Sequence, residues 1–372
     1  MSLEGMSKRD YLKGRLKRGC EMGGLVMRKT LFPLFLIVLA FALVACSSDT
    51  SAPAEGNGSS SEGEASNNNE GNNEGRPDSY NIQMTTGTTT GVYYPLGAAF
   101  TEFFTREIDY IQASSQATNG SVQNLNFMQQ GESNMALTPI GTLWEAYNGE
   151  GPFSGNAYED VRILAALYPN VNHFVARKDA ALTSIADIEG RNFAPGATGS
   201  ATEIESRQTL EAYGVDYDSV NHNFVGFTEA TDLMRNRQVD AAMIMAGIPA
   251  AAVSEMTATA DGVLLSYDDD IIAKMQEQYP WYIEFIISAE SYENQDEDVK
   301  TVAQLNMLVV DASMPEEVAY DLVKTFWEKI DQLQDAHAVV AQFDVENAVT
   351  GLADVPLHPG AEKYYKEVGV LQ

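Results

Sequence analysis

The feature that most constrains this chain is a regular alternation of short apolar runs and helical patterns from Tyr80 to the C-terminus. Runs such as 80–85, 135–137 and 241–245 have the length and composition of buried strands. The segment 315–331 carries Leu322, Val323, Phe326 and Ile330 at helical spacing. Because strands that alternate with helices favour mainly parallel sheets covered by helices, we predict an α/β fold.

The remaining elements follow the same pattern and no internal repeat interrupts it. Further strands are predicted over residues 110–114, 162–167, 173–177, 192–194, 223–225 and 263–265. Helices are predicted over residues 91–106, 121–130, 201–213, 229–235 and 249–256, in addition to 315–331.

The N-terminal segment 1–46 has the pattern of a secretory signal. Met27, Arg28 and Lys29 give a positive start, residues 31–45 are apolar or small, and Cys46 closes a lipobox-like end. The apolar run is shorter than the about 20 residues that a membrane-spanning helix needs. We therefore expect a signal peptide, lipid on Cys46 and an extracytoplasmic location on the outer face of the cell membrane. Residues 1–26 are expected to be either an overcalled start ahead of Met27 or a remnant of cloning.

Residues 47–79 predict a disordered tether, because Ala is their only apolar residue type and they contain no aromatic residue. Cys20 precedes the signal and Cys46 is the expected lipidation site. Since the chain has two cysteines, no pair is left for a disulfide in the folded part. The fold must therefore be stabilised by burial alone.

The chain is strongly acidic, with 23 Lys and Arg against 53 Asp and Glu and a formal net charge of −30. Binding of nucleic acid requires a basic face, so we exclude nucleic acid as a partner. The charge also disfavours an anionic lipid surface and favours solubility in a salty or alkaline habitat.

Four Gly- and hydroxyl-rich loops precede predicted helices, and ligands in α/β proteins lie where such loops follow the strands. Their free backbone N–H groups suit a carboxylate or phosphate. The candidate binding residues in these loops are Thr89, Thr90, Gly91, Tyr93, Tyr94, Thr118, Gly120, Ser121, Thr198, Gly199, Ser200, Thr202, Ala246, Gly247 and Pro249.

The same residues also have a purely local interpretation. Ser200 with Glu203 fits a capping box, Ser121 fits an N-cap, and Pro249 suits a first helical turn. Caps explain the serines but not the crowding of Gly and Thr around them, nor the tyrosine pair Tyr93 and Tyr94, which would wall a pocket.

Six motifs together resemble the TAXI family, the extracytoplasmic solute-binding proteins of one class of TRAP transporters. They are TGTTTGVYYPLG, ATNGSVQNLNFMQQGESNMAL, LAALYPNVNHFVARKD, SIADIEGRNFAPGATGSATE, VDAAMIMAGIPAAAV and PLHPGAEKYYKEVG. They run in order from about Tyr80 to the C-terminus. The resemblance implies a type II periplasmic-binding-protein fold, with two α/β lobes, a hinge crossed twice and a ligand cleft between the lobes.

By this resemblance residues 80–172 would form the first part of lobe I, 173–270 lobe II, and 271–372 the return segment of lobe I. The crossings are expected near 169–172 and after about residue 265. The aromatic segment 275–287 is expected to pack against the first lobe. We also expect a monomer that delivers its solute to a TRAP membrane permease.

The resemblance further implies a small anionic ligand, such as glutamate or 2-oxoglutarate. The loops contain no Arg or Lys, so a carboxylate would rest on helix N-termini and hydroxyls, with Arg177 as the nearest basic candidate. Thr198 stands where relatives often have Pro, and we expect it to add one hydrogen bond to the ligand.

An enzyme is the competing class, with Ser200 as nucleophile and one of His173, His222, His337 or His358 as base. The sequence lacks the G-x-S-x-G, H-E-x-x-H, Walker A and G-x-G-x-x-G motifs, so we predict no catalysis, metal or cofactor. Delivery to an ABC transporter, or coupling to a membrane sensor, stays open because the same fold serves both.

Overall fold

Two long strands lie side by side at the centre of the structure, a computed structural model that describes residues 75–372. The strand β4 spans Val161–Arg177 and the strand β10 spans Val299–Asp311. They pair antiparallel, with a register shift next to the pair Leu305 and Pro169. Almost every residue of both strands is buried, so this pair is covered on both faces.

The first lobe is built on one side of this pair. Strand β1 (Tyr80–Thr85) pairs parallel with β2 (Ile111–Gln116) and with β3 (Met135–Pro139), and β3 pairs antiparallel with β10. The connecting helices are α1 (Tyr93–Glu107), α2 (Ser121–Gln129) and α3 (Ile140–Asn148).

The second lobe is built on the other side, where the sheet continues in the order β4, β7, β5, β6. Its short strands are β5 (Asn192–Ala194), β6 (Asn221–His222), β7 (Ala241–Ala246), β8 (Gly262–Leu264) and β9 (Ile283–Ile287). Its helices are α4 (Ala201–Ala212), α5 (Phe227–Arg235), α6 (Ala251–Thr259) and α7 (Asp269–Gln278).

The C-terminal helices α8 (Glu316–Glu328) and α9 (Pro359–Glu367) pack against each other and cover the first lobe. The rings of Phe326 and Phe100 meet edge to face at 5.3 Å, which joins α8 to α1. Trp327 Nε1 donates a hydrogen bond of 2.9 Å to Tyr365 Oη, which joins α8 to α9.

The predicted α/β class with two lobes and two crossing strands is confirmed, and three details are corrected. The sheet is mixed rather than mainly parallel, because both long strands pair antiparallel with their neighbours. The strands predicted over 162–167 and 173–177 are one continuous strand, β4. The strand predicted over 223–225 lies instead at Asn221–His222.

The lobe boundaries at 172/173 and 270/271 stay predictions, but the structure shows where residues 271–298 pack. Ile272 and Met275 of α7 share one apolar cluster with Phe174 and Phe193 of the second lobe. After α7 and β9 the chain runs along β10, which pairs with β9, β4 and β3. In the segment 275–287, the Trp281 ring also lies 5.3 Å from the ring of Trp144 in the first lobe.

The predicted signal segment 1–46, with the lipidation site Cys46, lies outside the described residues, as does most of the tether. At the end of the tether, Arg76 forms an ion pair with Asp321 of α8, with an Nε to Oδ2 distance of 2.6 Å. The point at which the tether joins the folded part is therefore fixed against the first lobe. Among residues 75–372 no helix has the length and hydropathy needed to cross a membrane.

Candidate ligand-binding site

A small cavity of about 50 Å³ lies between the lobes, where the N-termini of α1, α2 and α4 converge. It is lined by Gly87, Thr88, Gly91, Val92, Tyr93, Asn119, Gly120, Ser121, Asn170, Ala197, Ser200, Ala201, Thr202, Gly226, Phe227, Met245 and Ala246. None of these residues is Asp, Glu, Lys or Arg, so the lining carries no formal charge.

The first wall is the turn that leads from β1 into α1. The Gly91 N–H donates to the carbonyl of Thr88 at 2.9 Å, which closes the turn. A Cβ on Gly91 would lie 3.2 Å from that carbonyl and 3.7 Å from the ring of Phe227 in the second lobe. The first distance is tighter than an ordinary contact and the second is an ordinary van der Waals contact, so glycine here suits the tight turn.

The second wall is the loop that leads from β2 into α2, and Asn124 holds it in place. The Asn124 Nδ2 atom donates to the carbonyls of Thr86, at 2.6 Å, and Leu137, at 3.1 Å. The Thr118 hydroxyl donates to Asn124 Oδ1 at 2.6 Å and accepts from the Gly120 N–H at 3.1 Å. Thr118 thus supports the loop from below and does not line the cavity.

The third wall is the start of α4. The Ser200 hydroxyl donates to the carbonyl of Ala197 at 2.7 Å and accepts from the Glu203 N–H at 3.2 Å. The N-cap at Ser200 is confirmed, and its hydroxyl proton is donated to the Ala197 carbonyl. The predicted capping box is incomplete, because the Glu203 carboxylate accepts from Arg207 and Tyr217 and not from the Ser200 N–H. The N-cap predicted at Ser121 is wrong, because the N-cap of α2 is Gly120 and Ser121 is the first helical residue.

The three converging helix starts leave backbone donors at the cavity. Five N–H groups at these helix starts have no hydrogen-bond partner among residues 75–372: those of Val92, Tyr93, Ser121, Ala201 and Thr202. The first N–H groups of a helix have no acceptor within the helix, and the helix dipole makes that end partly positive. The cavity therefore offers several donors to one small acceptor.

A buried polar group at the floor of the cavity is centred on Tyr93. The Tyr93 hydroxyl donates to Asn306 Oδ1 and accepts from Asn170 Nδ2 at 3.4 Å. Burial raises the pKa of Tyr93 far above its usual range, so the phenol stays neutral. Asn170 Oδ1 has no partner among the described residues.

The lobes already touch on the rim of the cavity. The Gln123 N–H of α2 donates to the carbonyl of Gly199 at 3.1 Å, and Asn119 Nδ2 donates to the carbonyl of Thr198 at 3.3 Å. On another side, the hydroxyls of Thr90 and Thr228 lie 3.0 Å apart. The structure therefore shows the two lobes closed over the cavity.

A buried carboxyl group lies on the same helix that forms the third wall. Glu205 of α4 accepts from Tyr282 Oη at 2.6 Å and from Asn172 Nδ2 at 3.0 Å, and its other oxygen accepts from Gln304 Nε2. Burial raises the pKa of Glu205 to about 7, although these hydrogen bonds oppose the rise. Asn172 and Gln304 belong to β4 and β10, so Glu205 joins the second lobe to both crossing strands.

Seven of the predicted binding residues line the cavity: Gly91, Tyr93, Gly120, Ser121, Ser200, Thr202 and Ala246. Eight do not: Thr89, Thr90, Tyr94, Thr118, Thr198, Gly199, Gly247 and Pro249. Tyr94 is 39% exposed, and the side chain of Thr198 points to the surface. A Cβ on Gly247 would lie 2.5 Å from Val339 Cγ1, so this glycine serves close packing.

Ten lining residues were not among the candidates: Gly87, Thr88, Val92, Asn119, Asn170, Ala197, Ala201, Gly226, Phe227 and Met245. Six of them lie in the four predicted loops: Thr88, Val92, Asn119, Ala197, Ala201 and Met245. Gly226 opens α5 after a strand, so the loop rule that found the other walls would have found it too. Asn170 lies inside β4 and has no such signal.

No histidine among residues 75–372 is hydrogen-bonded to Ser200. All four histidines bond elsewhere; His173, for example, lies 2.9 Å from Tyr292 Oη through Nε2 and 3.0 Å from the carbonyl of Val171 through Nδ1. Arg177 pairs with Asp240 at 3.1 Å and does not line the cavity. Within the described residues, no group of three His, Cys, Asp or Glu is placed to hold a metal ion.

A family model matches residues 84–369, which include all the cavity-lining residues. The chain belongs to the NMT1-like family.

Several solved structures resemble this NMT1-like chain distantly. A protein from Bordetella bronchiseptica RB50 is 16% identical, with a TM-score of 0.48, over 78% of this chain and 89% of its own. The alkanesulfonate-binding protein SsuA from Xanthomonas axonopodis pv. citri is 12% identical, with a TM-score of 0.43, over 78% and 84%. The ligand-binding component of an ABC-type import system from Staphylococcus aureus is 10% identical, with a TM-score of 0.45, over 78% and 92%.

The raised pKa of Glu205 predicts a pH-dependent stability. Between an ordinary pKa near 4.5 and about 7, the unfolded chain releases a proton that the folded chain keeps, so stability falls as pH rises through this window. Glu205→Gln removes the titrating group. The free energy of unfolding of this variant, minus that of the wild type, should therefore rise by roughly 3 kcal/mol between pH 4.5 and pH 8.

Urea unfolding at several pH values measures this gain, with Glu211→Gln, an exposed position of the same helix, as the matched control. The control should follow the wild type at every pH. Parallel pH profiles for Glu205→Gln and the wild type would show that the carboxyl is not buried as described.

Proposed function

We propose that this protein is an extracytoplasmic solute-binding protein that captures a small anionic metabolite between its lobes and delivers it to a membrane permease. The observation that carries the proposal is the set of unpartnered N–H groups at three helix starts, which face one uncharged cavity.

An anion suits this cavity for electrostatic reasons. Each helix start contributes about 0.3 to 2 kcal/mol to the binding of a negative group, and N–H donors to an ionised acceptor make stronger hydrogen bonds than neutral pairs. No Asp or Glu lines the cavity to repel the anion. The small volume favours a compact carboxylate, of which glutamate and 2-oxoglutarate are the candidates that the TAXI resemblance supplies.

Closure of the lobes over the ligand accounts for the two central strands and for the contacts at the rim of the cavity. Among residues 75–372, the strands β4 and β10 carry the main-chain pairing through the middle of the sheet, which suits a hinge. The rim contacts, such as Gln123 N–H to the Gly199 carbonyl, would break on opening and reform on closure. We propose the lining residues as ligand contacts, and Thr90, Thr198 and Gly199 as residues of the closing rim.

Binding rather than catalysis is favoured because the cavity holds no activated nucleophile. The Ser200 proton is donated to the Ala197 carbonyl, and no histidine is hydrogen-bonded to Ser200. A general base must lie within hydrogen-bond reach of the proton that it takes.

The proposal is tested by thermal unfolding of the chain, refolded to remove any co-purified solute, against small carboxylates, amino acids, sugars and phosphates. A ligand at 100 times its dissociation constant stabilises by about 2.7 kcal/mol, which is a shift of roughly 5 to 10 °C for lobes of this size. We expect the shift with a small carboxylate. A shift with a neutral sugar alone would contradict an anion site.

Closure itself is tested by Gly120→Ala. Gly120 has a φ of +130°, and a Cβ there would lie 3.2 Å from Ser200 Cβ across the cavity. The substitution should hold the lobes apart and weaken ligand binding at least tenfold. Gly131→Ala is the matched control, because Gly131 follows the same helix with a φ of +74° and has nothing within 4 Å of the added Cβ.

Isothermal titration with the ligand found above measures both variants. Gly131→Ala should lose stability through backbone strain but keep its affinity. Equal affinity in Gly120→Ala and Gly131→Ala would show that the contact between Gly120 and Ser200 has no part in binding.

We further propose that the permease is of the TRAP type and that the chain is anchored through lipid on Cys46. The six TAXI-like motifs support this assignment, while an ABC importer is the alternative that uses the same binding step. Solute uptake by vesicles with the cognate permease should depend on an ion gradient and not on ATP. Uptake that requires ATP would support the ABC alternative instead.

A further inference from the structure

One hydrogen-bond acceptor at the cavity has no donor among the described residues. Asn170 is 4% exposed, it lines the cavity, and its Oδ1 atom has no partner among the described residues. An unpartnered buried acceptor is unfavourable in a folded protein, so this atom calls for a donor.

In the structure the Tyr93 hydroxyl orients the Asn170 amide. Tyr93 Oη has one proton, which it donates to Asn306 Oδ1. Asn170 Nδ2 lies 3.4 Å from Tyr93 Oη and donates to it. In this arrangement Asn170 Oδ1 and Asn306 Nδ2 are both buried without a partner among the described residues, and of these two residues only Asn170 lines the cavity.

Asn306 provides the contrast. It is fully buried and bonds to the same tyrosine, but it does not line the cavity. Asn170 and Asn306 thus share the Tyr93 contact, and only Asn170 also faces the ligand space.

We infer that Asn170 Oδ1 accepts a hydrogen bond from the ligand, and that the site therefore selects an acid bearing an amino or hydroxyl group close to its carboxylate. This inference rests on the proposed function. The helix starts supply donors for the carboxylate, and Asn170 supplies the acceptor for the second group. A keto acid would set its carbonyl oxygen against Oδ1, and an unsubstituted acid would leave Oδ1 unpaired.

The test compares acids that share a carbon skeleton and differ at one position. One set is L-glutamate, 2-hydroxyglutarate, 2-oxoglutarate and glutarate; a shorter set is L-alanine, lactate, pyruvate and propionate. Isothermal titration of the full chain should show at least one amino or hydroxy acid binding about 10 to 100 times more tightly than both the keto and the unsubstituted acid of its set.

Asn170→Leu removes the acceptor at nearly constant side-chain volume. In this variant the amino and hydroxy acids should bind no more than about threefold more tightly than the keto and unsubstituted acids, because only the donor-bearing acids lose a partner. Asn306→Leu is a second test. It frees the Tyr93 proton, which can then be donated to Asn170 Oδ1, so this variant should also lose the preference. Circular dichroism and urea unfolding confirm that each variant folds.

The titration of the wild-type chain can overturn the inference by itself, so the test does not require that the variants fold. Equal or tighter binding of the keto or unsubstituted acid would overturn it, as would an unchanged preference in a folded Asn170→Leu. Failure of every acid in both sets, with binding of a neutral solute, would overturn the proposed function instead.

Discussion

The antiparallel pairing of β4 with β10 is the constraint on which the rest of this structure depends. These two strands carry the sheet from the first lobe into the second, and their buried side chains belong to the cores on both sides. Each lobe then places loops and helix starts at the edge that faces the other lobe. The cavity exists because three such starts, from α1, α2 and α4, meet across this pair.

The polar atoms around the cavity form two groups with different roles. Asn124 and Thr118 are fully used in holding the loop before α2, and Ser200 is used in capping α4. The N–H groups at the helix starts and Asn170 Oδ1 are left without protein partners. An unpartnered buried polar atom is unfavourable in a folded protein, and a ligand bound in the cavity would satisfy the ones that line it.

An anion site in so acidic a chain is consistent with simple electrostatics. The formal net charge of −30 repels an anion at long range, but salt screens exposed charges beyond about 8 to 10 Å. Within the cavity the field comes from nearby dipoles and not from the distant surface. An uncharged lining would also allow release of the proposed anion, since no buried ion pair would have to be broken.

The sequence predicted the parts of the site that follow local rules and missed the parts that depend on tertiary contact. The turn at Gly91 and the cap at Ser200 are local and were found. The two strands predicted over 162–167 and 173–177 left a gap that contains Pro169, a residue that donates no ladder hydrogen bond. In the structure Pro169 lies opposite Leu305 next to a register shift, where one long strand accommodates it.

Asn170 and Phe227 were missed for a related reason. Asn170 lies within a strand, and only the packing of Tyr93 against it makes its amide a cavity atom. Phe227 reaches the cavity only because the lobes close, which brings its ring near Gly91. No pattern within either segment carries this information.

The central claim, that the free helix starts bind a small anion, is tested most directly by NMR of the ¹⁵N-labelled chain. The amide signals of Val92, Tyr93, Ser121, Ala201 and Thr202 are followed as the carboxylate that stabilises the chain is added. The account predicts that these proton signals move downfield together and saturate with the affinity measured by titration. Saturable binding that leaves these amides unmoved and shifts signals elsewhere would contradict it.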